Sequence, residues 1–71
     1  MKKYRVTEDL QGGEFGMYRD YTLKEWRDQA IEWCEMDENY TTARALKRYE
    51  IKNRDLIAFI ADYWQLEFTE V

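Results

Sequence analysis

The strongest structural signal in this chain of 71 residues is the stretch TLKEWRDQAIEWCEM at residues 22–36. It opens on a capping box, in which the Thr22 hydroxyl accepts from a first-turn amide while Glu25 reaches back to the Thr22 amide. At about 100° per residue, the apolar side chains fall on one face and the acids on the opposite one. We predict an amphipathic helix from residue 23 to about residue 36. Its inward face is Leu23, Trp26, Ala30, Trp33 and Cys34.

Two stretches near the N-terminus alternate with the period of a β-strand, namely residues 2–7 and 14–19. Residues 8–13 between them carry turn-forming side chains and two glycines, so we predict an antiparallel hairpin. At the other end, residues 66–71 are rich in residues that favour strands. They predict a third strand against the hairpin, with an extension of the preceding helix as the alternative.

Two further helices are predicted in the second half of the chain. Residues 42–49 form the first, capped by Thr41 or Thr42, with Ala45, Leu46 and Tyr49 facing inward. Residues 54–64 form the second, capped by Asn53. The second is apolar on nearly all sides, so it is either the central core element or buries another face against a partner.

The elements predict an α+β fold in a single domain over residues 1–71. The expected order is β-β-α-α-α-β. A small antiparallel sheet, made of the N-terminal hairpin and the C-terminal strand, packs on one face against about three helices.

Composition excludes several kinds of chemistry. The chain has no histidine and one cysteine, which removes Cys–His and Ser–His catalysis and the usual zinc sites. The glycines lack the spacing of a phosphate-binding loop. Asp37, Asn39 and Thr41 resemble the start of a calcium loop, but Thr42 and Arg48 stand where glycine and a bidentate glutamate are needed. We therefore predict a non-enzymatic protein with no catalytic residue, cofactor or metal.

The cellular location follows from the apolar runs and the lone thiol. The longest uncharged apolar run is the six residues 56–61, whereas a membrane span needs about 20. No apolar segment of an export signal follows the first lysines. Cys34 lies on the predicted apolar face, where a buried and inert thiol is expected. An unpaired thiol fits a reducing compartment, so we expect a cytoplasmic protein without a membrane partner.

Fifteen acids and eleven bases give a net charge of −4, but the charges lie in blocks of one sign. One block, here called the acidic stripe, follows the outer face of the first helix for about 15 Å. Carboxylates over that length can imitate nucleic-acid phosphates and occupy the groove of a DNA- or RNA-binding protein. The alternative is an ordinary solvated helix face. The acidic stripe is Glu25, Asp28, Glu32 and Glu35, with almost no cation four residues away.

The second block, here called the basic patch, predicts either a nucleic-acid contact or internal charge complementarity with the acids. Nucleic acid is the less favoured partner, because five bases in an acidic chain are a weak signal. A helix-turn-helix is disfavoured as well, since its recognition helix would carry Asp55, Asp62 and large apolar residues. The basic patch is Arg44, Lys47, Arg48, Lys52 and Arg54.

Twelve aromatic residues are present, and seven of them are expected in the core: Tyr4, Phe15, Trp26, Trp33, Phe59, Trp64 and Phe68. Tyr18, Tyr21 and Tyr40 instead lie beside charged residues. They predict either a protein interface, where tyrosine is enriched, or amphipathic residues at the rim of the core. The leading hypothesis is a small protein-interaction domain whose partner is another protein or a second copy of itself. A nucleic-acid-mimicking inhibitor and a small nucleic-acid-binding accessory protein are the alternatives.

Overall fold

The computed structural model describes residues 1–12 and 19–71, and these contain two strands and three helices. The two strands pair antiparallel, and the core joins them to the helices, which confirms the predicted α+β class. The predicted C-terminal strand is also confirmed. Residues 14–18 of the predicted second strand lie outside the described residues, and Arg19 is in no strand. The elements are β1 (Tyr4–Asp9), α1 (Leu23–Met36), α2 (Tyr40–Lys47), α3 (Asn53–Trp64) and β2 (Leu66–Glu70).

Helix α1 has the predicted bounds because its cap is complete. The Glu25 amide donates to the Thr22 hydroxyl at 3.3 Å, and the Thr22 amide donates to the Glu25 carboxylate at 2.9 Å. These bonds lower the pKa of Glu25, first through the Thr22 backbone and then through its hydroxyl. The predicted inward face is confirmed, since Trp26, Ala30 and Cys34 are buried.

Helix α2 differs from the prediction at both ends. Its cap is Asn39, whose side chain accepts from the Thr42 amide, and not Thr41 or Thr42. Asparagine and threonine both cap well, so residue type alone does not choose between them. The helix ends at Lys47, and Tyr49, predicted to face inward, is exposed with a left-handed φ of 57°.

Helix α3 begins at Asn53, but the prediction that Asn53 caps it is wrong. The cap position is Lys52, which makes no side-chain capping bond. The Asn53 side chain instead accepts a hydrogen bond from Arg27 at 2.9 Å. Leu56 and Ile60 are fully buried, while Ala58 and Asp62 are exposed, so α3 has one core face and one solvent face.

The sheet brings the two ends of the described chain together. Val6 pairs with Phe68, and a bulge follows between Val6 and Glu8. On its other edge β1 makes one bridge, in which the Tyr4 and Tyr21 backbones exchange hydrogen bonds of 2.8 and 3.2 Å. The segment that leads into α1 is thereby held beside β1.

The core is built around Trp26. Its ring is fully buried and meets Phe68 edge-on at a centroid distance of 5.0 Å, while its indole N–H donates to the Tyr4 carbonyl at 2.8 Å. Trp33 and Trp64 continue the aromatic packing from α1 to α3, with centroids 5.2 Å apart. The predicted core aromatics among the described residues all pack in or against this core, and Phe15 lies outside them. The buried core residues are Val6, Trp26, Ala30, Cys34, Ala43, Leu46, Leu56, Ile60 and Leu66.

None of the helices in the described part of the chain is both long and apolar enough to cross a membrane.

Candidate functional site

Members of three predicted sets meet at a surface groove between α1 and α2. This α1–α2 groove has a volume of about 290 Å³ and is lined by Glu35, Tyr40, Ala43, Arg44 and Lys47. Glu35 belongs to the acidic stripe, Tyr40 to the predicted interface tyrosines, and the two cations to the basic patch. The fold thus places side chains from separate blocks of sequence on one surface.

Local structure in α2 positions the groove. The Asn39 cap starts the helix at Tyr40, so that Tyr40, Arg44 and Lys47 follow one another at spacings of four and three residues. Residues at these spacings lie on the same side of a helix. Ala43 is buried beneath them and contributes only a methyl group to the groove. Tyr40 keeps 58% of its surface exposed, which is high for a large aromatic side chain.

The two cations of the groove differ in what they contact. The Lys47 ammonium lies 2.6 Å from the Glu35 carboxylate and so ties α2 to α1. Arg44 is exposed and forms no ion pair with any residue that the structure describes. Arg44 is therefore available to an external carboxylate or carbonyl.

The acidic stripe lies on the solvent side of α1 as predicted, and all four residues are exposed. The prediction that almost no cation lies four residues away from these acids is wrong at Asp28, and a lysine more distant in the sequence pairs with Glu35. Asp28 pairs with Lys24 at 3.1 Å, an i,i+4 pair within α1, and Glu35 pairs with Lys47. Glu25 is occupied by the cap, and Glu32 accepts from the Gln29 amide at 3.2 Å.

A second groove of about 250 Å³ lies along this stripe and is lined by Tyr21, Glu25, Asp28, Gln29 and Glu32. Tyr21 is half-buried, and its ring packs on Trp26 with a centroid distance of 5.0 Å. Its hydroxyl accepts from Arg19 at 3.0 Å. These contacts make Tyr21 a rim residue of the core. Tyr18, the third predicted interface tyrosine, lies outside the described residues.

The basic patch does not form one continuous surface of free cations. Besides the Lys47 pair, Arg48 lies 3.5 Å from Glu50 and Arg54 lies 3.2 Å from Asp55. Lys52 is exposed at the cap of α3. Most of these charges therefore have an acidic neighbour within the fold.

Arg27, which the sequence analysis did not select, is the least exposed charged residue that the structure describes. It is 2% exposed, and its guanidinium donates to the Leu46 carbonyl at 2.8 Å, the Ile51 carbonyl at 2.7 Å and the Asn53 side chain. The Tyr49 ring covers it at 4.0 Å. Burial lowers the pKa of Arg27, although an arginine stays protonated. Its position three residues before Ala30 is the sequence signal for burial, because it falls on the apolar side of α1.

The Cys34 thiol is 1% exposed, and its burial, followed by the nearby Asp37 and Glu35 charges, raises its pKa. Both effects disfavour the reactive thiolate. Among the residues described, no group of three or more His, Cys, Asp or Glu side chains is arranged to hold a metal ion.

Comparison of the chain with protein-family models, with curated proteins and with solved structures found no match.

Proposed function

We propose that this chain is a non-enzymatic, cytoplasmic protein-interaction domain that binds a protein partner through the α1–α2 groove. The observation that carries the proposal is the exposure of Tyr40 and Arg44 one turn apart on the same side of α2. Tyrosine and arginine are enriched among the residues that dominate binding energy at protein interfaces. A partner's apolar side chain packs on the Tyr40 ring while its carboxylate or carbonyl accepts from Arg44.

The fold supports a rigid binding surface at this position. Asn39 caps the start of α2, Lys47 ties its end to Glu35, and Arg27 holds the Leu46 carbonyl from below. The groove is therefore formed before a partner arrives, and little ordering entropy is lost on binding. The unpaired Cys34 thiol supports a reducing, cytoplasmic location.

Nucleic-acid mimicry and nucleic-acid binding receive less support from the charges. Ion pairs with Lys24 and Lys47 halve the number of free carboxylates in the acidic stripe, whereas a phosphate mimic needs a run of unpaired negative charge. In the basic patch, Arg48 and Arg54 already have acidic neighbours. Ion pairs within the fold therefore neutralise much of the charge of both the acidic stripe and the basic patch.

Affinity capture from host lysate tests the proposal with matched variants. Immobilised wild-type protein is compared with the double variant Tyr40→Ala/Arg44→Ala and with Arg54→Ala, an exposed arginine outside the groove whose ion pair is with its chain neighbour. We expect the groove variant to lose proteins that the wild type and the Arg54 variant retain. Equal retention by all three proteins would contradict the proposal, provided that their far-ultraviolet circular dichroism spectra agree.

A further inference from the structure

We propose that the protein has a second binding surface, at the C-terminal ends of α1 and α3, whose ligand is an arginine-rich segment of a partner protein. The surface shares no residue with the α1–α2 groove, so this inference goes beyond the proposed function and does not depend on it. It is here called the α1–α3 aromatic surface and consists of Met36, Phe59, Tyr63 and Trp64, with Asp37, Glu38 and Asp62 at its rim.

Side-chain contacts join the ends of the two helices into one surface. The Asn39 side-chain amide donates to the Tyr63 hydroxyl, so the turn after α1 contacts the last turn of α3. The Tyr63 ring packs on Trp64 at a centroid distance of 4.6 Å and on Phe59 at 5.5 Å. Trp64 in turn meets Trp33 of α1 at 5.2 Å. These contacts place the aromatic side chains of α3 beside the end of α1.

The α1–α3 aromatic surface leaves a large apolar area in contact with water. Met36 follows Trp33 by three residues and so lies on the same side of α1. Its exposed fraction is 73%, and that of Tyr63 is 43%. Phe59 and Trp64 are half-buried. Single exposed apolar side chains are common on proteins, but adjoining ones mark interaction sites.

The acids at the rim have no cation of their own. Asp37 and Glu38 directly precede Asn39 in the chain, and Asp62 follows Phe59 by three residues, which makes the two neighbours on the surface of α3. All three acids are exposed, and none forms an ion pair with a residue that the structure describes. An apolar centre with unpaired acids around it is complementary to a cationic segment, and it repels the same surface of a second copy.

Arginine is the cation that suits both parts of this surface. Its planar guanidinium stacks on aromatic rings and donates two parallel hydrogen bonds to a carboxylate, whereas the lysine ammonium is a strongly hydrated point charge. The chain itself makes a contact of this kind, with the Arg27 guanidinium over the Tyr49 ring at 4.0 Å. A partner's arginine on the Tyr63 ring therefore gains from the aromatic face and from the rim carboxylates together.

Binding of a defined probe tests the proposal. The probe is a short fluorescein-labelled peptide of alternating arginine and leucine, and a second probe has lysine in place of every arginine. Fluorescence anisotropy measures the dissociation constants for the wild type, for Asp37→Asn/Asp62→Asn and for Tyr63→Leu. Asp28→Asn/Glu70→Gln is the matched control, because it removes the same charge from exposed side chains outside the α1–α3 aromatic surface.

We expect the wild type and the matched control to bind the arginine probe at least about fivefold more tightly than the lysine probe. Asp37→Asn/Asp62→Asn and Tyr63→Leu should each weaken binding of the arginine probe by at least about fivefold, with unchanged far-ultraviolet circular dichroism. In an NMR titration of the wild type, the Trp64 indole signal and the Asn39 side-chain amide signal should shift most. The double asparagine variant changes only exposed side chains, so it and the titration test the proposal even if Tyr63→Leu does not fold.

Equal affinity for the two probes, an equal loss in the matched control, or the largest shifts elsewhere on the protein overturns the proposal. Tyr40→Ala/Arg44→Ala separates the two surfaces, because it should bind the arginine probe as tightly as the wild type does. A loss of probe binding in that variant would also overturn the proposal. If sedimentation velocity shows that the wild type self-associates and that Tyr63→Leu does not, the surface binds a second copy and the arginine-rich partner is wrong.

Discussion

Arg27 and Arg44 carry the same side chain but are used by the molecule in opposite ways. Arg27 is buried, forms no ion pair with a described carboxylate, and donates from its two terminal nitrogens to two backbone carbonyls and one side-chain amide oxygen. Arg44 is exposed, with no ion pair in the described part of the chain. The first guanidinium is hydrogen-bonded within the fold, and the second remains exposed to solvent.

The difference shows why net charge is a poor guide to the function of this chain. The buried guanidinium joins α1 to the end of α2, to the turn after it and to the start of α3. Its removal should therefore lower the free energy of unfolding. The exposed guanidinium of Arg44 forms no ion pair within the described fold. We therefore expect its removal to leave the free energy of unfolding nearly unchanged and to affect only the binding of a partner.

The largest effect is expected for Arg27→Met, which keeps much of the side-chain volume but removes every donor. The Leu46 and Ile51 carbonyls and the Asn53 amide oxygen then lose their partner, and an unsatisfied buried group costs about 1–3 kcal/mol. We expect the free energy of unfolding to fall by about 3 kcal/mol. Urea denaturation followed by tryptophan fluorescence measures it.

Arg54→Met is the control for this change, because the same substitution there affects an exposed side chain paired only with its neighbour Asp55. It should shift the free energy of unfolding by less than about 0.5 kcal/mol. Equal effects at the two positions would show that the Arg27 hydrogen bonds do not stabilise the fold.

A smaller loss is expected for Tyr49→Leu. The ring covers the Arg27 guanidinium at 4.0 Å, and such a contact contributes about 1 kcal/mol when partly desolvated. Leucine keeps an apolar cover without the π-face and leaves the left-handed backbone at residue 49 in place. The test is a double-mutant cycle with Arg27→Met, in which the Tyr49 substitution should become nearly neutral. If Tyr49→Leu costs as much free energy of unfolding in the Arg27→Met protein as in the wild type, Tyr49 does not stabilise the fold through Arg27.

Glu25 is an intermediate case, since it faces water like Arg44 but is used by the fold like Arg27. Its pKa is lowered from the ordinary 4.5 because its carboxylate accepts from Thr22. The stabilisation is therefore present above the unfolded pKa and is lost as pH falls through the lower folded value. We expect Glu25→Gln, which keeps an acceptor at the cap, to reduce the loss of stability between pH 5 and pH 3. The urea midpoint at each pH measures the difference.

Asp20 also contributes to the pH dependence of stability, because the hydrogen bond that it accepts from Arg5 lowers its pKa. That pair is present in both proteins, so the difference between them isolates Glu25. Parallel pH profiles for wild type and variant would contradict the role of the Glu25 carboxylate in the cap.

The smallest effect on stability is expected for Arg44→Ala. Its side chain contacts no acid in the described structure, so the free energy of unfolding should change by less than about 0.5 kcal/mol. Thermal denaturation measured in dilute solution checks this. A loss comparable to that of Arg27→Met would mean that Arg44 belongs to the fold and is not free for a partner.

The sequence was sufficient to predict α1 and the fold class, because a capping box and a helical apolar face specify the same element twice. The sequence did not identify the first residue of α2, because Asn39, Thr41 and Thr42 can each cap a helix. In the structure the cap is Asn39, whose backbone amide also donates to the Cys34 carbonyl at the end of α1. The role of Asn53 could not be predicted either, because its side chain accepts a hydrogen bond from Arg27, which lies 26 positions earlier in the chain.

The candidate site was predictable in its parts and not in its assembly. The order of residues along the chain placed acidic side chains on α1, basic side chains on the following segment and Tyr40 beside charged residues. Only the antiparallel path of α2 alongside α1 brings Glu35, Tyr40 and Arg44 to one groove. Helical periodicity places Arg27 on the apolar side of α1, but no sequence pattern identifies its acceptors, which are two backbone carbonyls and the Asn53 side chain.

Pairing of β1 with β2 has a consequence for how the polypeptide acquires its shape during synthesis. Val6 leaves the ribosome before all three helices, yet its cross-strand neighbour is Phe68. Contacts between such distant positions form late, because the long intervening loop must close first. The helices can fold on emergence, while β1 keeps an unpaired edge until β2, which follows α3, has also been synthesised.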